Sequence, residues 1–189
     1  MEIILASKSP RRQELIKGLE LKYKVFTYEV DESFDSGLKR NEIPEFLARK
    51  KALAYEHVIN HDQVLITADT VVWVNDKVLN KPENEKEALE MLQSICGNKH
   101  EVYTGVCIRT NNQIHVFSEK TEVFCNEMKT EDLLYYIRNY HPFDKAGSYG
   151  IQDWFGYSAV EKINGCFYNV MGLPVNRLKK ELSKMALIC

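Results

Sequence analysis

Apolar residues along this chain fall into short continuous runs and helical stripes that alternate from the N-terminus onward. Glu2-Ile3-Ile4-Leu5-Ala6 is a run of strand length. Ser7-Lys8-Ser9 interrupts it. Ser9 suits a helix cap, and Pro10 suits the first helical position, where its missing N–H is not needed. Leu15, Ile16 and Leu19 then recur at helical spacing, with Gly18 near the end. The first segment therefore predicts strand, tight loop and helix. Tyr23–Val30 predicts a second strand, closed by Asp31-Glu32-Ser33 and a polar loop over Asp35–Asn41. A helix is expected from about Ile43 to Ile59, with Ile43, Phe46, Leu47, Leu53 and Ala54 as its stripe and Lys50 and Lys51 interrupting or bordering it. Val64–Val74 is apolar except at its centre, where Asp69 stands. It reads as a buried central strand, continuous or broken at that acid. Asn75-Asp76 is a turn signal.

The second half continues with a helix over Glu85–Cys96, preceded by Lys81-Pro82 and stopped by Gly97. Glu101–Arg109 and Ile114–Cys125 predict a hairpin around Asn111-Asn112. Thr130 is the expected cap of a helix carrying Leu133, Leu134 and Ile137. His141–Ile151 is a glycine-bearing loop, Trp154–Ile163 is ambiguous, Asn169–Pro174 is a loop, and Val175–Met185 is a closing helix. Early strand–helix alternation followed by antiparallel pairing gives an α/β class with a mixed sheet flanked by helices.

A chain of 189 residues is one domain, here 1–189, or one domain with two lobes. Its 44% hydrophobic and 28% charged residues are those of an ordinary globular protein. The formal net charge of −2 excludes a general basic field for nucleic acid, so any polyanion must be met by a local cluster. Cys96, Cys107, Cys125, Cys166 and Cys189 are odd in number and widely spaced, without a CxxC pair. That argues against a zinc site or disulfide framework and for reduced thiols in a cytoplasmic protein. Cys166, after a glycine, is a loop nucleophile or simply a small neutral residue. No signal peptide and no membrane-spanning stretch is expected.

Candidate chemistry begins at Arg11 and Arg12. They stand in the first turn of the first helix, where the dipole repels cations but welcomes anions. They are either part of a phosphate pocket or solvated surface charges. Asp69, inside an apolar strand, must be paired, neutralised or metal-bound. It has a site role, or it is satisfied by a lysine or by backbone amides. Glu32 is an ordinary turn acid on its own. Glu32 and Asp69 together, facing Arg11, Arg12, Lys51, Lys81 and Lys145, would make a metal–phosphate site, because hard cations take carboxylate and phosphate oxygens. Phosphoanhydride hydrolysis needs those parts and no serine or cysteine nucleophile.

The sequence also resembles the Maf family of nucleoside triphosphate pyrophosphatases nearly end to end. The resemblance lies in Leu5-Ala6-Ser7-Lys8-Ser9-Pro10-Arg11-Arg12, Asp31-Glu32, Ala48-Arg49-Lys50-Lys51-Ala52, Ala68-Asp69-Thr70 and Asn80-Lys81-Pro82. It continues in Tyr103-Thr104-Gly105-Val106, the Asp144–Gln152 segment and Asn169-Val170-Met171-Gly172-Leu173-Pro174. It implies an elongated mixed sheet with two lobes and a central cleft, similar to inosine-triphosphate pyrophosphatases. It also implies metal-dependent cleavage between the α and β phosphates, with Mg²⁺ or Mn²⁺ as the cofactor. By resemblance Asp69 is the base that activates water, and Glu32 joins it at the metal. Ser7, Arg11, Arg12, Lys51, Lys81 and Lys145 would contact phosphates. A helical wheel makes Lys50 the odder residue in its stripe, whereas the family pattern selects Lys51. Arg12, Thr70 and Gln152 resemble the branch acting on dTTP and UTP, and a neutral amide suits a pyrimidine edge. Asp153, where many relatives carry glycine, and Cys166, where serine is common, depart from the pattern. The expected partner is a nucleoside triphosphate, with neither nucleic acid nor membrane, and a homodimer is implied by the family. The alternative function is a nucleotide-binding regulator of division and septum formation.

Overall fold

The structure, a computed structural model, describes residues 1–57 and 59–188. Val58, within the predicted Ile43–Ile59 helix, and the Cys189 thiol lie outside the described residues. The elements follow in order: β1 (Glu2–Leu5), α1 (Pro10–Lys17), β2 (Tyr23–Val25), α2 (Glu42–Leu53), β3 (Gln63–Val74), β4 (Lys77–Leu79), α3 (Glu85–Ile95), β5 (Lys99–Arg109) and β6 (Ile114–Cys125). After these come α4 (Thr130–Tyr140), two short 3₁₀ turns, α5 (Trp154–Ala159), β7 (Val160–Asn164), α6 (Phe167–Met171) and α7 (Val175–Lys184). Seven strands form one sheet in the order β2-β1-β3-β5-β6-β7, with β4 pairing off β3. β1 runs parallel to β2 and β3, with Ile3 opposite Tyr23 and Val64, while β3–β4 and β6–β7 are antiparallel. The mixed α/β sheet expected from the sequence is present.

The chain forms two compact units. The first comprises Met1–Asp69, Thr104–Glu119 and the stretch from Gly172, and the second Thr70–Tyr103 and Lys120–Met171. In the first, Ile4, Ala6, Ala48, Ala52, Tyr55 and Leu65 form a core between the sheet and α2. Small alanines on that face let the helix lie close to β3, and the Thr67 hydroxyl donates to the Ala48 carbonyl at 2.6 Å. Gly105 in β5 has the same effect at the start of α2: a Cβ there would stand 2.3 Å from the Pro44 carbonyl carbon. Only a residue without a side chain permits that approach. In the second unit, Leu92, Ile95, Val123, Leu133, Tyr136 and Phe155 centre the core.

Several elements differ from the sequence expectation for visible reasons. β2 stops at Val25, not Val30. Beyond it the Tyr55 hydroxyl accepts from the Tyr28 N–H at 2.7 Å and donates to the Phe26 carbonyl at 3.1 Å, so a side chain replaces a neighbouring strand. α2 ends at Leu53, and its buried face is Ile43, Leu47, Ala48 and Ala52, with Phe46 and Leu53 exposed. β3 is unbroken at Asp69. β4 was not expected. Asn75 and Asp76 both adopt positive φ, 49° and 57°, which matches the twist of a tight hairpin. Thr130 is the first residue of α4 rather than its cap, and Lys129 holds the cap position without a side-chain bond. The ambiguous 154–163 segment is helix followed by strand, and α6 runs through the first half of the expected Asn169–Pro174 loop.

Candidate active site

The α1 turn forms as its sequence implies. Ser9 caps the helix, its hydroxyl accepting from the Arg12 N–H at 3.5 Å, and Pro10 opens it. Ser7 is buried, and its hydroxyl accepts from the Ser9 N–H at 3.2 Å. Arg12 does not point to solvent. Its Nε donates to the Gly172 carbonyl at 2.8 Å and its Nη1 to the Ala68 carbonyl at 2.9 Å. The guanidinium thus anchors α1 to the residue before Asp69. Burial lowers its proton affinity, while Asp69 and Glu32 oppose that and Arg11 adds to it. An arginine so placed still stays charged.

Asp69 comes next on β3. The pleat alternates side chains, so Leu65, Thr67 and Asp69 share the face covered by α2. Asp69 is 8% exposed. Lys51, one helical turn past Leu47 and adjoining the Ala48–Ala52 stripe, reaches it: Nζ lies 2.6 Å from Asp69 Oδ1 and 2.8 Å from Glu32 Oε1. One ammonium therefore binds both carboxylates singled out by the sequence. Lys50 turns the other way. Its Nζ contacts Asp31 Oδ2 at 2.8 Å and the Ser33 carbonyl at 2.9 Å. The Lys50 ammonium and the Ser33 hydroxyl hold the Asp31 carboxyl well below the usual range. Two neighbouring lysines thus pin two neighbouring acids, and Asp31 fixes the segment that presents Glu32. Sequence reasoning left Asp31 and Lys50 without this role. The signal was their adjacency to Glu32 and Lys51.

Arg11 lies beside Arg12 in the first turn of α1, and the remaining predicted residues belong to the second unit. Thr70 leaves β3 from the face opposite Asp69, by the same alternation. Lys81 is exposed, next to buried Pro82, and the adjoining Asn80 carbonyl accepts from the Gly147 N–H at 3.1 Å. That bond ties the Lys81 segment to the loop carrying Lys145. Lys145 Nζ lies 2.8 Å from Asp144 Oδ1 and 3.7 Å from Asp153 Oδ2. Gln152 lines a cavity of about 370 Å³ with Ile151, Tyr157, Ile163 and Phe167, and its Oε1 is buried with no hydrogen-bond partner among the described residues. Cys166 is half-buried in a loop, and its N–H donates to the Thr121 hydroxyl.

Among the described residues no three His, Cys, Asp or Glu side chains gather as a metal cage. Glu32 and Asp69 nevertheless converge on a cationic nitrogen, which shows that this spot draws positive charge. Two carboxylates suffice for a hard cation that completes its shell with waters and phosphate oxygens. Among the described residues no helix is long and apolar enough to cross a membrane.

A family model described as Maf-like protein matches residues 2–185. A dTTP/UTP pyrophosphatase of Bacteroides thetaiotaomicron is 48% identical over 97% of this chain and 96% of its own length. One of Phocaeicola vulgatus is 49% identical over the same shares. Among solved structures, the Staphylococcus aureus Ham1 protein superposes with a TM-score of 0.47 at 16% identity, covering 68% of this chain and 74% of that one.

Proposed function

The chain belongs to the Maf family, and on that premise we propose that it hydrolyses the α–β phosphoanhydride of nucleoside triphosphates, dTTP and UTP foremost, to a nucleoside monophosphate and pyrophosphate. The observation that carries this reading is the Lys51 ammonium held between Glu32 and Asp69, beside the start of α1 that Arg12 anchors. Asp69 takes the proton of the attacking water. Its fixed place on β3 orients that water, and Lys51 aligns the carboxylate until substrate arrives. Lys51 has a flexible stem, so the same ammonium would serve a phosphate oxygen of a bound nucleotide. Mg²⁺ or Mn²⁺ on Glu32 and Asp69 would supply charge neutralisation on the phosphates. Ser7, Arg11 and Arg12 at the helix start are phosphate contacts, joined by Lys81 and Lys145 of the second unit. Thr70 and Gln152 read the base. The buried Gln152 carbonyl oxygen is an acceptor for a pyrimidine ring N–H. The family match, spanning residues 2–185, supports one functional domain over 1–189. Free thiols at Cys96, Cys107, Cys125 and Cys166 support a reducing, cytoplasmic setting.

The test is pyrophosphate release from a panel of nucleoside triphosphates with Mg²⁺, Mn²⁺ or chelator. Metal-dependent release from dTTP and UTP, well above GTP and ATP, is expected. Equal or greater release from purines would overturn the assignment of Gln152 and keep the reaction. Tight binding without release from any nucleotide would overturn the hydrolase reading in favour of a nucleotide-binding regulator.

A further inference from the structure

Asp153 occupies the N-cap position of α5, with extended φ and ψ of −87° and 177°, yet its side chain makes no capping bond. An aspartate there ordinarily accepts from the helix N–H groups just ahead of it. Here the carboxylate turns back over the loop. Its Oδ2 accepts from the Tyr136 hydroxyl at 3.2 Å and faces Lys145 Nζ at 3.7 Å. The same Tyr136 hydroxyl accepts from the Gly150 N–H at 3.0 Å. The carboxylate has room because residue 150 lacks a side chain: a Cβ there would lie 2.3 Å from Asp153 Oδ2. Tyr136 is fully buried in the second unit's core, so its hydroxyl is a fixed point. Burial first, and the Asp153 charge with it, push the Tyr136 phenol up, which keeps it a donor.

Lys145 thus stands between two unlike acids. Asp144 is its exposed sequence neighbour, and Asp153 is half-buried and tethered to the core. A tethered charge defines a direction, whereas an exposed neighbour follows the lysine wherever it moves. Asp153 also adjoins Gln152, so the bond from Tyr136 fixes the peptide that presents the amide.

We propose that Asp153 is a positioning residue, which through Tyr136 holds the Lys145 ammonium and the Gln152 peptide in place for the nucleotide. This rests on the pyrophosphatase reading for its consequence in turnover, but the hold itself is independent of substrate. Its specific content is that Asp153 acts on the reaction through Lys145.

The experiment is a double-mutant cycle read in two ways. In protein labelled with ¹⁵N at lysine side chains, Lys145 gives a slowly exchanging ammonium signal, assigned by its disappearance in K145M. D153N keeps an acceptor for Tyr136 but removes the charge, and it shifts or broadens that signal. With dTTP, D153N lowers kcat about fivefold with KM changed less than about twofold, and in the K145M background it adds no further loss. Absence of the signal in the wild type, an unchanged signal in D153N, or equal kcat losses in both backgrounds would overturn the proposal. If D153N does not fold, Tyr136→Phe gives the same ammonium readout. It removes the tether while keeping the charge, and an unmoved signal there also overturns the proposal. A wild type that turns over no nucleotide while D153N still moves the Lys145 signal would sink the hydrolase reading and leave the hold standing.

Discussion

Lys51 and Lys145 each set an ammonium between two carboxylates, and the two places differ in what holds the acids. At Lys51 the partners are Asp69 on β3 and Glu32, at 2.6 and 2.8 Å, and the lysine rises from a helix whose distance from the sheet is fixed at Ala48, Thr67 and Gly105. At Lys145 the partners are Asp144 and Asp153, at 2.8 and 3.7 Å, and both lie in or beside a loop held by one buried hydroxyl. In the first arrangement regular elements carry Lys51 and Asp69, while Glu32 comes from the irregular segment between β2 and α2. The second depends on a few polar contacts. Rigid placement suits the group that must meet a reacting water, while a loop suits groups that adapt to a substrate's outline.

The largest expected effect separates the two centres directly. Asp69→Asn should lower pyrophosphate release about a thousandfold while the protein still folds, since a positioned base typically contributes 10²–10⁴. Near-normal turnover would break the assignment of chemistry to the first centre.

The second prediction concerns acid. His100, 1% exposed in the second unit, bonds the Tyr149 hydroxyl at 2.6 Å, and burial pushes its imidazole down to about 4. The unfolded chain takes up a proton near pH 6.5 and the folded one does not, so stability falls as pH drops from about 6.5 toward 4. The loss is on the order of 3 kcal/mol. Denaturant titrations across that window should show it, and His100→Gln should flatten it. The acids Asp31 and Glu122, held low by Lys50 and Lys99, begin to lose their contribution only as pH falls below about 4.5, at the acid end of that window. A wild-type stability profile that is flat between pH 6.5 and 4 would refute the buried neutral imidazole.

Lys145→Met should lower kcat/KM for dTTP about tenfold, mainly through kcat, as the loss of a charge-assisted phosphate contact. A loss as large as that of Asp69→Asn would erase the distinction between the centres. The smallest effect belongs to Lys50→Met. Its partner Asp31 is exposed, so equilibrium stability should change by less than about 1 kcal/mol. Turnover should fall only modestly, through looser presentation of Glu32. A drop matching that of Lys51→Met would show that the two neighbouring lysines share one role.

The sequence made the strands β1, β3, β5 and β6, the cap at Ser9 and the anomaly of Asp69 legible, because each is a local signal: an apolar run, a serine before proline, an acid among valines. It misplaced the face of α2. The stripe drawn through Phe46 and Leu53 followed size, whereas the helix buries its alanines, which allow close approach to β3. That is also why the wheel pointed to Lys50 while Lys51 is the lysine that reaches Asp69. The end of β2 was invisible because a tyrosine hydroxyl 27 residues away takes over the backbone pairing. Arg12 was legible as an unusual charge, but its two carbonyl partners lie 56 and 160 residues along the chain. Asp153 stood out only as a departure, and its use of Tyr136 depends on packing across the second unit.

The reach of Arg12 to the Gly172 carbonyl has a consequence for how the protein is made. Lys51, Glu32 and Asp69 are all synthesised by residue 69 of 189, but the bond that anchors α1 spans 160 residues. A nascent chain therefore carries the charged triad long before it owns the acceptor that fastens the helix beside it. The second unit's residues 70–103 and 120–171 emerge in between. Such high contact order slows folding and delays completion to the end of synthesis. A ribosome-bound chain shorter than Gly172 would expose α1 to proteases that the finished protein resists.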